Sequence, residues 1–195
     1  MHKLKKSISK RMSEYRYLHT LSVARECERL AEIFGIDGKL LITSAYLHDI
    51  TKEMTVDEQT ELCRSMGEKL DEYAILSPKT LHSYSAPALI KRDYPEFADP
   101  EVLSTVRCHT TGKENMTLPE KLLYLADYIE PTRRFEECKK LREYFYSDLS
   151  NPHKRLDSTI LLSLKYTLNE LLAKGEFIHP ETVKAYNSLC KVGVL

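Results

Sequence analysis

Apolar side chains recur at intervals of three and four residues along almost the whole chain, which is the spacing of one face of an α-helix. Runs of alternating Val, Ile and Thr bounded by turn residues, which are typical of strands, are missing from the sequence. We therefore predict an all-α fold. The predicted helices cover residues 3–11, 14–34, 38–49, 55–66, 68–76, 80–93, 99–110, 117–129, 134–146, 152–174 and 180–190.

Charge and length narrow the class of protein. The 195 residues suit one compact domain, so a single domain over 1–195 is expected. Lys plus Arg and Asp plus Glu each number 29, and this zero net charge does not indicate the broad cationic surface of a nucleic-acid-binding protein. A small phosphorylated ligand remains compatible with the sequence, because a few local cations beside a metal suffice to bind it.

The cysteine spacing and the lack of long apolar runs predict the cellular compartment of the protein. Five widely spaced cysteines without a CxxC pair are typical of reduced thiols in a cytoplasmic protein. The basic start of the chain is followed by no apolar run of signal-peptide length, and no segment approaches the roughly 20 apolar residues of a membrane span. We expect a cytoplasmic protein that has no membrane partner.

Four histidines share one local pattern. Taken alone, a histidine on an apolar helix face is more often a hydrogen-bonded core residue than a metal ligand. Here, however, four separate predicted helices each place an imidazole on the face that carries apolar residues. These are His19, His48, His82 and His109. Four imidazoles directed toward one core favour a metal site.

Two aspartates complete this pattern. Asp127 stands among leucines in KLLYLADYIEP, where an unpaired buried carboxylate would be costly and a metal would offset that cost. Asp49 follows His48 directly in AYLHDITK. Four imidazoles and two carboxylates are too many for one tetrahedral site with an open position, but they suit two ions that share a carboxylate. We expect Asp49 to be the carboxylate that bridges the two ions.

The order H, HD, H, H, D resembles the HD-domain superfamily of metal-dependent phosphohydrolases. More closely, five segments resemble the bacterial symmetrical diadenosine tetraphosphate hydrolases of HD type. They are RYLHT at 16–20, YLHDITK at 46–52, LHS around His82, CHTTGKENMT at 108–117 and EKLLYLADYIEPTRR at 120–134. The resemblance implies an all-helical HD bundle with a dinuclear metal site in its core. We expect that core at about 14–130, with helices in 134–190 packed on it.

The resemblance also implies a division of the ligands between two ions. His19, His48, Asp49 and Asp127 would hold one ion, and Asp49, His82 and His109 the other. Mixed nitrogen and oxygen ligands suit iron, manganese, cobalt, nickel or zinc better than magnesium. Iron is implied by the family alone.

Several residues near the ligands are candidates for binding phosphate. Lys52 follows Asp49 by three positions, and Arg133 follows Asp127 within a segment similar to the family motif. Thr110, Thr111 and Gly112 form a polar turn after His109, although Gly112 could equally be only a helix C-cap. Arg16, one helical turn before His19, could bind substrate or hold a carboxylate.

The expected activity is symmetrical cleavage of diadenosine tetraphosphate to two ADP by a hydroxide that bridges the metals. The catalytic residues would be Asp49, Lys52 and Arg133, with the two cations stabilising developing negative charge. The alternatives are an HD-type phosphatase or phosphodiesterase acting on another small nucleotide, a nucleotide sensor without turnover, and a helical protein that binds a ribosome or another partner. The amphipathic segment 152–174 predicts a core helix or a dimer helix, so a homodimer stays open.

Overall fold

The computed structural model describes residues 1–191, and its regular secondary structure is entirely helical, with no strand among the described residues. Two short 3-10 helices, Pro78–Thr80 and Pro95–Phe97, lie between longer elements. The α-helices are α1 (His2–Ile8), α2 (Glu14–Phe34), α3 (Lys39–Leu47), α4 (Val56–Ser65), α5 (Glu72–Leu76), α6 (His82–Asp93), α7 (Pro100–Cys108), α8 (Leu118–Ile129), α9 (Glu136–Ser147), α10 (Pro152–Lys174) and α11 (Pro180–Lys191). The predicted all-α fold is confirmed.

Helix α8 lies at the centre of the bundle. Its residues from Leu122 to Ala126 are completely buried, because α2, α3, α7, α9 and α10 all pack around it. A capping box between Thr117 and Glu120 fixes its first turn. The central position of α8 explains how Asp127, near its end, comes to lie inside the protein.

The C-terminal helices cover one side of this core. Helix α10 packs against α8, α9 and α11, and it buries Leu156, Ile160, Leu161 and Leu164. The segment 152–174 was expected to be either a core helix or a dimer helix, and in the structure it packs as a core helix.

Several helices are shorter than the sequence pattern predicts. The prediction 38–49 was wrong at its end, since α3 stops at Leu47, and α7 likewise stops at Cys108 rather than at residue 110. The first helix ends at Ile8 instead of residue 11, and α5 covers only Glu72–Leu76 of the predicted 68–76. His48 and His109 therefore lie just beyond helices, although both keep right-handed helical backbone angles.

Candidate metal centre

The four candidate histidines meet in the core from four different elements. His19 lies in α2, His48 and His109 directly follow α3 and α7, and His82 is the first residue of α6. All four are at most 5% exposed. The ring centroids of His48 and His109 are 5.0 Å apart, as are those of His82 and His109, while those of His19 and His48 are 5.5 Å apart. The structure thus brings together imidazoles that are up to 90 residues apart in sequence.

The Asp49 carboxylate lies between two pairs of imidazoles. Its Oδ2 atom is 3.7 Å from Nε2 of His19 and 3.4 Å from Nε2 of His48. Its Oδ1 atom is 3.3 Å from Nε2 of His82 and 3.7 Å from Nε2 of His109. Each carboxylate oxygen therefore faces its own pair of ring nitrogens, which is the arrangement that a bridging carboxylate needs.

Asp127 joins only one of these pairs. Its Oδ1 atom is 3.0 Å from Nε2 of His19 and 4.0 Å from Nε2 of His48. His19, His48 and Asp127 form one buried group whose ligand atoms all lie within 4.8 Å of one another, and His48, Asp49 and His109 form a second. The cluster thus offers more donors on the His19 side than on the His82 side.

Hydrogen bonds behind the rings orient two of the imidazoles. Nδ1 of His48 donates to the Ala45 carbonyl at 2.7 Å, and Nδ1 of His109 donates to the Val106 carbonyl at 2.6 Å. These carbonyls belong to the last turns of α3 and α7, where backbone acceptors have no amide partner within the helix. The two histidines therefore complete their helix ends and at the same time direct Nε2 toward Asp49.

The donor set fits a divalent metal ion. Within the described part of the chain, Nε2 of His19 and Nε2 of His48 are buried without a hydrogen-bond partner. A buried ring nitrogen that lacks a partner is costly, and a metal ion would satisfy it. The Nε2 atoms also face carboxylate oxygens, so the cluster presents the mixed nitrogen and oxygen donors of a transition-metal site.

Electrostatics keep both aspartates ionised. Burial alone would raise the pKa of Asp49, but the surrounding imidazoles, chiefly His48 and His109, hold it well below its usual range. Burial would likewise raise the pKa of Asp127, and here Arg133 and His19 hold it well below the ordinary value. For His82, burial outweighs the attraction of Asp49 and lowers the pKa well below the usual range. Ionised carboxylates and a neutral His82 are the forms that bind metals.

Glu130 is a residue of the site that the sequence reasoning missed. It is fully buried, and its Oε1 atom accepts a hydrogen bond from Nδ1 of His19 at 3.1 Å. Burial would raise the pKa of Glu130, but hydrogen bonds from His19, Ser22 and Thr132 lower it to about 2. The available signal was its position three residues after Asp127, which places both carboxylates on one side of the end of α8.

Three cations surround the carboxylates. Arg16 donates a hydrogen bond to Asp49 Oδ2 at 2.5 Å. Two roles were expected for Arg16, binding substrate or holding a carboxylate, and this contact is of the second kind. Arg133 donates to Asp127 Oδ1 at 2.7 Å and to the Asp127 carbonyl at 3.0 Å. Lys52 Nζ donates to the Lys79 carbonyl at 3.2 Å and lies 3.2 Å from His82 Nδ1. Arg133 and Lys52 both line a cleft beside the cluster.

The turn after His109 serves a more structural role than the sequence suggests. The Thr111 hydroxyl donates to the Gly112 carbonyl at 2.9 Å, and the Gly112 amide donates to the Cys108 carbonyl at 2.8 Å. Gly112 has a φ of +64°, the left-handed conformation that favours glycine, and it lies at the end of the turn that follows α7 rather than at the C-cap, which is His109. The amide and hydroxyl that were expected to meet phosphate are therefore already engaged. Thr110, in contrast, lines the cleft.

The cleft that opens beside the cluster has a volume of about 810 Å³. Two of the candidate ligands, His109 and Asp127, line it together with Lys52, Thr110 and Arg133. Its volume lies within the roughly 300–1,000 Å³ of small-molecule sites. A small anionic ligand in this cleft would therefore reach both the metal ligands and the cations.

No helix within residues 1–191 combines the length and apolar character that crossing a membrane requires.

The chain is similar to known proteins in sequence and in structure. Residues 16–132 match the HD domain family. The chain is 36% identical to the symmetrical bis(5'-nucleosyl)-tetraphosphatase of Halalkalibacterium halodurans, over 91% of this chain and 90% of that protein. It is 31% identical to the protein of that name from Bacillus subtilis, over 93% of each chain, and 32% identical to that from Staphylococcus aureus, over 95% and 92%.

A solved structure gives the same result for the fold. The crystal structure of a Clostridium acetobutylicum protein, described as a "predicted HD superfamily hydrolase involved in NAD metabolism", superimposes with a TM-score of 0.87 and 30% sequence identity. The match covers 98% of this chain and 97% of that chain. The match over residues 16–132 and the relatives that align over nearly their whole length lead to one conclusion: the chain belongs to the HD domain family.

Proposed function

We propose that this protein is a metal-dependent hydrolase that cleaves diadenosine tetraphosphate symmetrically to two molecules of ADP. The observation that carries the proposal is the position of Asp49, whose two oxygens face separate pairs of imidazoles. Three relatives named as symmetrical bis(5'-nucleosyl)-tetraphosphatases, each aligned over at least 90% of its length, support this substrate.

The proposed cofactor is a pair of transition-metal ions, with iron as the family's expectation. His19, His48, Asp127 and Asp49 Oδ2 would hold one ion, and His82, His109 and Asp49 Oδ1 the other. When bound, such ions activate water for attack on phosphorus and neutralise phosphate charge. Glu130 and Arg16 would position the ligands, because they contact His19 and Asp49 from outside the cluster.

Lys52 and Arg133 are proposed to bind the phosphate groups. Both line the 810 Å³ cleft next to Asp127. Burial lowers the pKa of Lys52, and the attraction of Asp49 and Asp127 opposes this effect. Attack at an inner phosphorus releases ADP, which is a good leaving group, so the residues of the cleft need only stabilise developing negative charge.

The organisation of the chain is a further part of the proposal. Residues 1–195 would form one domain, with the metal-binding core at about 14–130 and the helices of 134–190 packed on it. The five cysteines, none of which is in a disulfide, support a cytoplasmic location. A homodimer remains a proposal that light scattering of the purified protein can test.

Product analysis tests the activity. Metal-replete protein is incubated separately with diadenosine tetraphosphate and with AMP, and the products are resolved by chromatography. We expect ADP alone from the dinucleotide and no phosphate from AMP. Formation of AMP plus ATP, or no cleavage of the dinucleotide, would refute symmetrical hydrolysis. Release of phosphate from AMP would instead favour the alternative of an HD-type nucleotide phosphatase.

A further inference from the structure

A second cavity adjoins the cleft beside the metal centre. It has a volume of about 460 Å³, and it shares Thr110, Tyr128 and Thr167 with the first cleft. Both volumes lie within the roughly 300–1,000 Å³ range of small-molecule sites. The two cavities therefore adjoin at these three side chains, where the hydroxyl groups of Tyr128 and Thr167 share a hydrogen bond of 3.0 Å.

The two cavities differ in chemistry. Lys52, Asp127 and Arg133 give the first cleft its charged surface, next to the metal centre. The second cavity lies between α10, α11 and the segment that links α5 to α6, and Leu76, Leu171 and Phe177 contribute apolar surface to it. The two charged side chains that also line the second cavity, Lys79 and Glu176, are paired with each other at 2.7 Å. The first cavity can thus bind phosphate groups, whereas the second suits an uncharged group with some polar edges.

Each cavity also contains an exposed phenylalanine. Phe135 in the first cleft is 68% exposed, and Phe177 in the second is 37% exposed. The ring of Phe177 stacks on Tyr73, with centroids 6.2 Å apart and planes 15° from parallel. An exposed aromatic face supported from behind is a surface on which a nucleobase can stack.

The junction provides an additional polar group. The Thr110 hydroxyl is buried and has no hydrogen-bond partner among the residues that the structure describes. Thr110 lines both cavities, so it lies beside any chain of atoms that passes from one cavity to the other. Because its hydroxyl oxygen is buried, the side chain must rotate about χ1 before the hydroxyl can donate to a phosphate oxygen.

We propose that the second cavity binds the second nucleoside of a dinucleoside polyphosphate, with its base on Phe177, while the first nucleoside lies near Phe135. The inference rests on the proposed function, because it assigns the two halves of that substrate to the two cavities. The phosphate chain would then pass Thr110 and lie across the metal centre. This arrangement would place an inner phosphorus at the metals, as symmetrical cleavage requires, and it predicts a preference for substrates with two nucleosides.

The test compares substrates with two nucleosides and with one. kcat/KM is measured for diadenosine tetraphosphate and for adenosine 5'-tetraphosphate, using metal-replete wild-type protein and the variants Phe177→Ala, Leu171→Trp and Phe177→Tyr. Leu172→Ala is a matched control, because Leu172 neighbours Leu171 on α10 but is 66% exposed. Thermal melts of each variant establish that it is folded.

In the wild type we expect kcat/KM to be about tenfold higher for the dinucleotide, which is the size of effect that stacking of one base gives. Phe177→Ala and Leu171→Trp should reduce this ratio toward one, and Phe177→Tyr and Leu172→Ala should preserve it. Equal kcat/KM values for the two substrates in the wild type, or an unchanged ratio in both Phe177→Ala and Leu171→Trp, would overturn the inference. Cleavage of neither substrate by the wild type would instead refute the proposed function.

Discussion

The His19 imidazole is held from behind by Glu130, whose Oε1 atom accepts a hydrogen bond from Nδ1 of the ring at 3.1 Å. A carboxylate can only accept, so Nδ1 carries a proton, and Nε2, which faces Asp49 and Asp127, is the nitrogen that would bind a metal. Because Glu130 also accepts hydrogen bonds from the amide and the hydroxyl of Thr132, its carboxylate is itself fixed in place. The orientation of this candidate ligand therefore depends on the end of α8.

Glu130→Gln is expected to weaken metal binding without unfolding the protein. Glutamine keeps the shape and one acceptor oxygen but removes the charge that polarises His19, and loss of such a partner typically lowers metal affinity about 10–100-fold. Competition with a metal-binding dye measures the affinity. Glu143→Gln, an exposed change on α9, is the control. Wild-type affinity in Glu130→Gln would show that this hydrogen bond does not tune the site.

Asp49→Ala is expected to remove most of the bound metal and all measurable hydrolysis. Elemental analysis of wild-type protein should find about two transition-metal ions per chain, as the bridged site requires, and less than one in the variant, because Asp49 faces both pairs of imidazoles. Asp57→Ala, at an exposed position in α4, should retain both ions. One full ion remaining in Asp49→Ala would contradict the bridging role.

Metal binding is expected to release a proton from His19. In the metal-free protein the pKa of His19 is raised to about 9. Burial alone would lower this pKa, but the hydrogen bonds with Asp127 and Glu130 outweigh burial. Because a ligand imidazole must be neutral, metal affinity should increase about tenfold per pH unit between neutral pH and this pKa. Calorimetry in two buffers of different ionisation enthalpy counts the protons, and binding at neutral pH without proton release would contradict the assignment.

The same raised pKa has a consequence for the metal-free fold. A proton bound more tightly in the folded than in the unfolded chain stabilises the fold. The contribution of His19 is therefore complete below the ordinary pKa of 6.5 and is lost as the pH rises through about 9.

Lys52→Met is expected to lower kcat while the metal content stays unchanged. Methionine has a similar length but no charge, so it cannot stabilise negative charge that develops on phosphate, and loss of one such group typically costs about 10²–10³ in kcat. Steady-state kinetics and elemental analysis are measured on the same preparations. Lys154→Met, an exposed change on α10, is the control. A parallel loss of metal and activity in Lys52→Met would show that Lys52 instead supports the ligands, since its ammonium lies beside His82.

The helices and the six candidate ligands could be predicted because their signal is local. Helical periodicity depends on neighbouring residues, and a polar residue on an apolar face, such as Asp127, is visible without knowing what it contacts. The ends of α3 and α7 could not be predicted in this way, because His48 and His109 are directed by hydrogen bonds to carbonyls of the last turn. Periodicity carries no information about those bonds.

Residues that act through distant partners were beyond the sequence pattern. Glu130 precedes a proline at a helix end, and apart from its spacing of three residues from Asp127 nothing near it in sequence marks a role, because its partner His19 lies 111 positions away. The role of Arg16 was open between substrate and carboxylate until its contact with Asp49 was known. The second cavity depends on how α10 and α11 pack, so the positions of Leu171 and Phe177 along the chain do not reveal it.

Gly112 lies against helix α11, at the point where the turn after His109 meets that helix. A Cβ atom at this position would lie 2.9 Å from Cβ of Ala185. The turn after His109 therefore approaches helix α11 so closely that a glycine is needed there. The Asn115 amide donates to the Ser188 hydroxyl at 3.1 Å, which adds a second tie between the same segments. A larger side chain in place of Ala185 would therefore press on the turn that follows His109, so packing in α11 bears on the position of a candidate metal ligand.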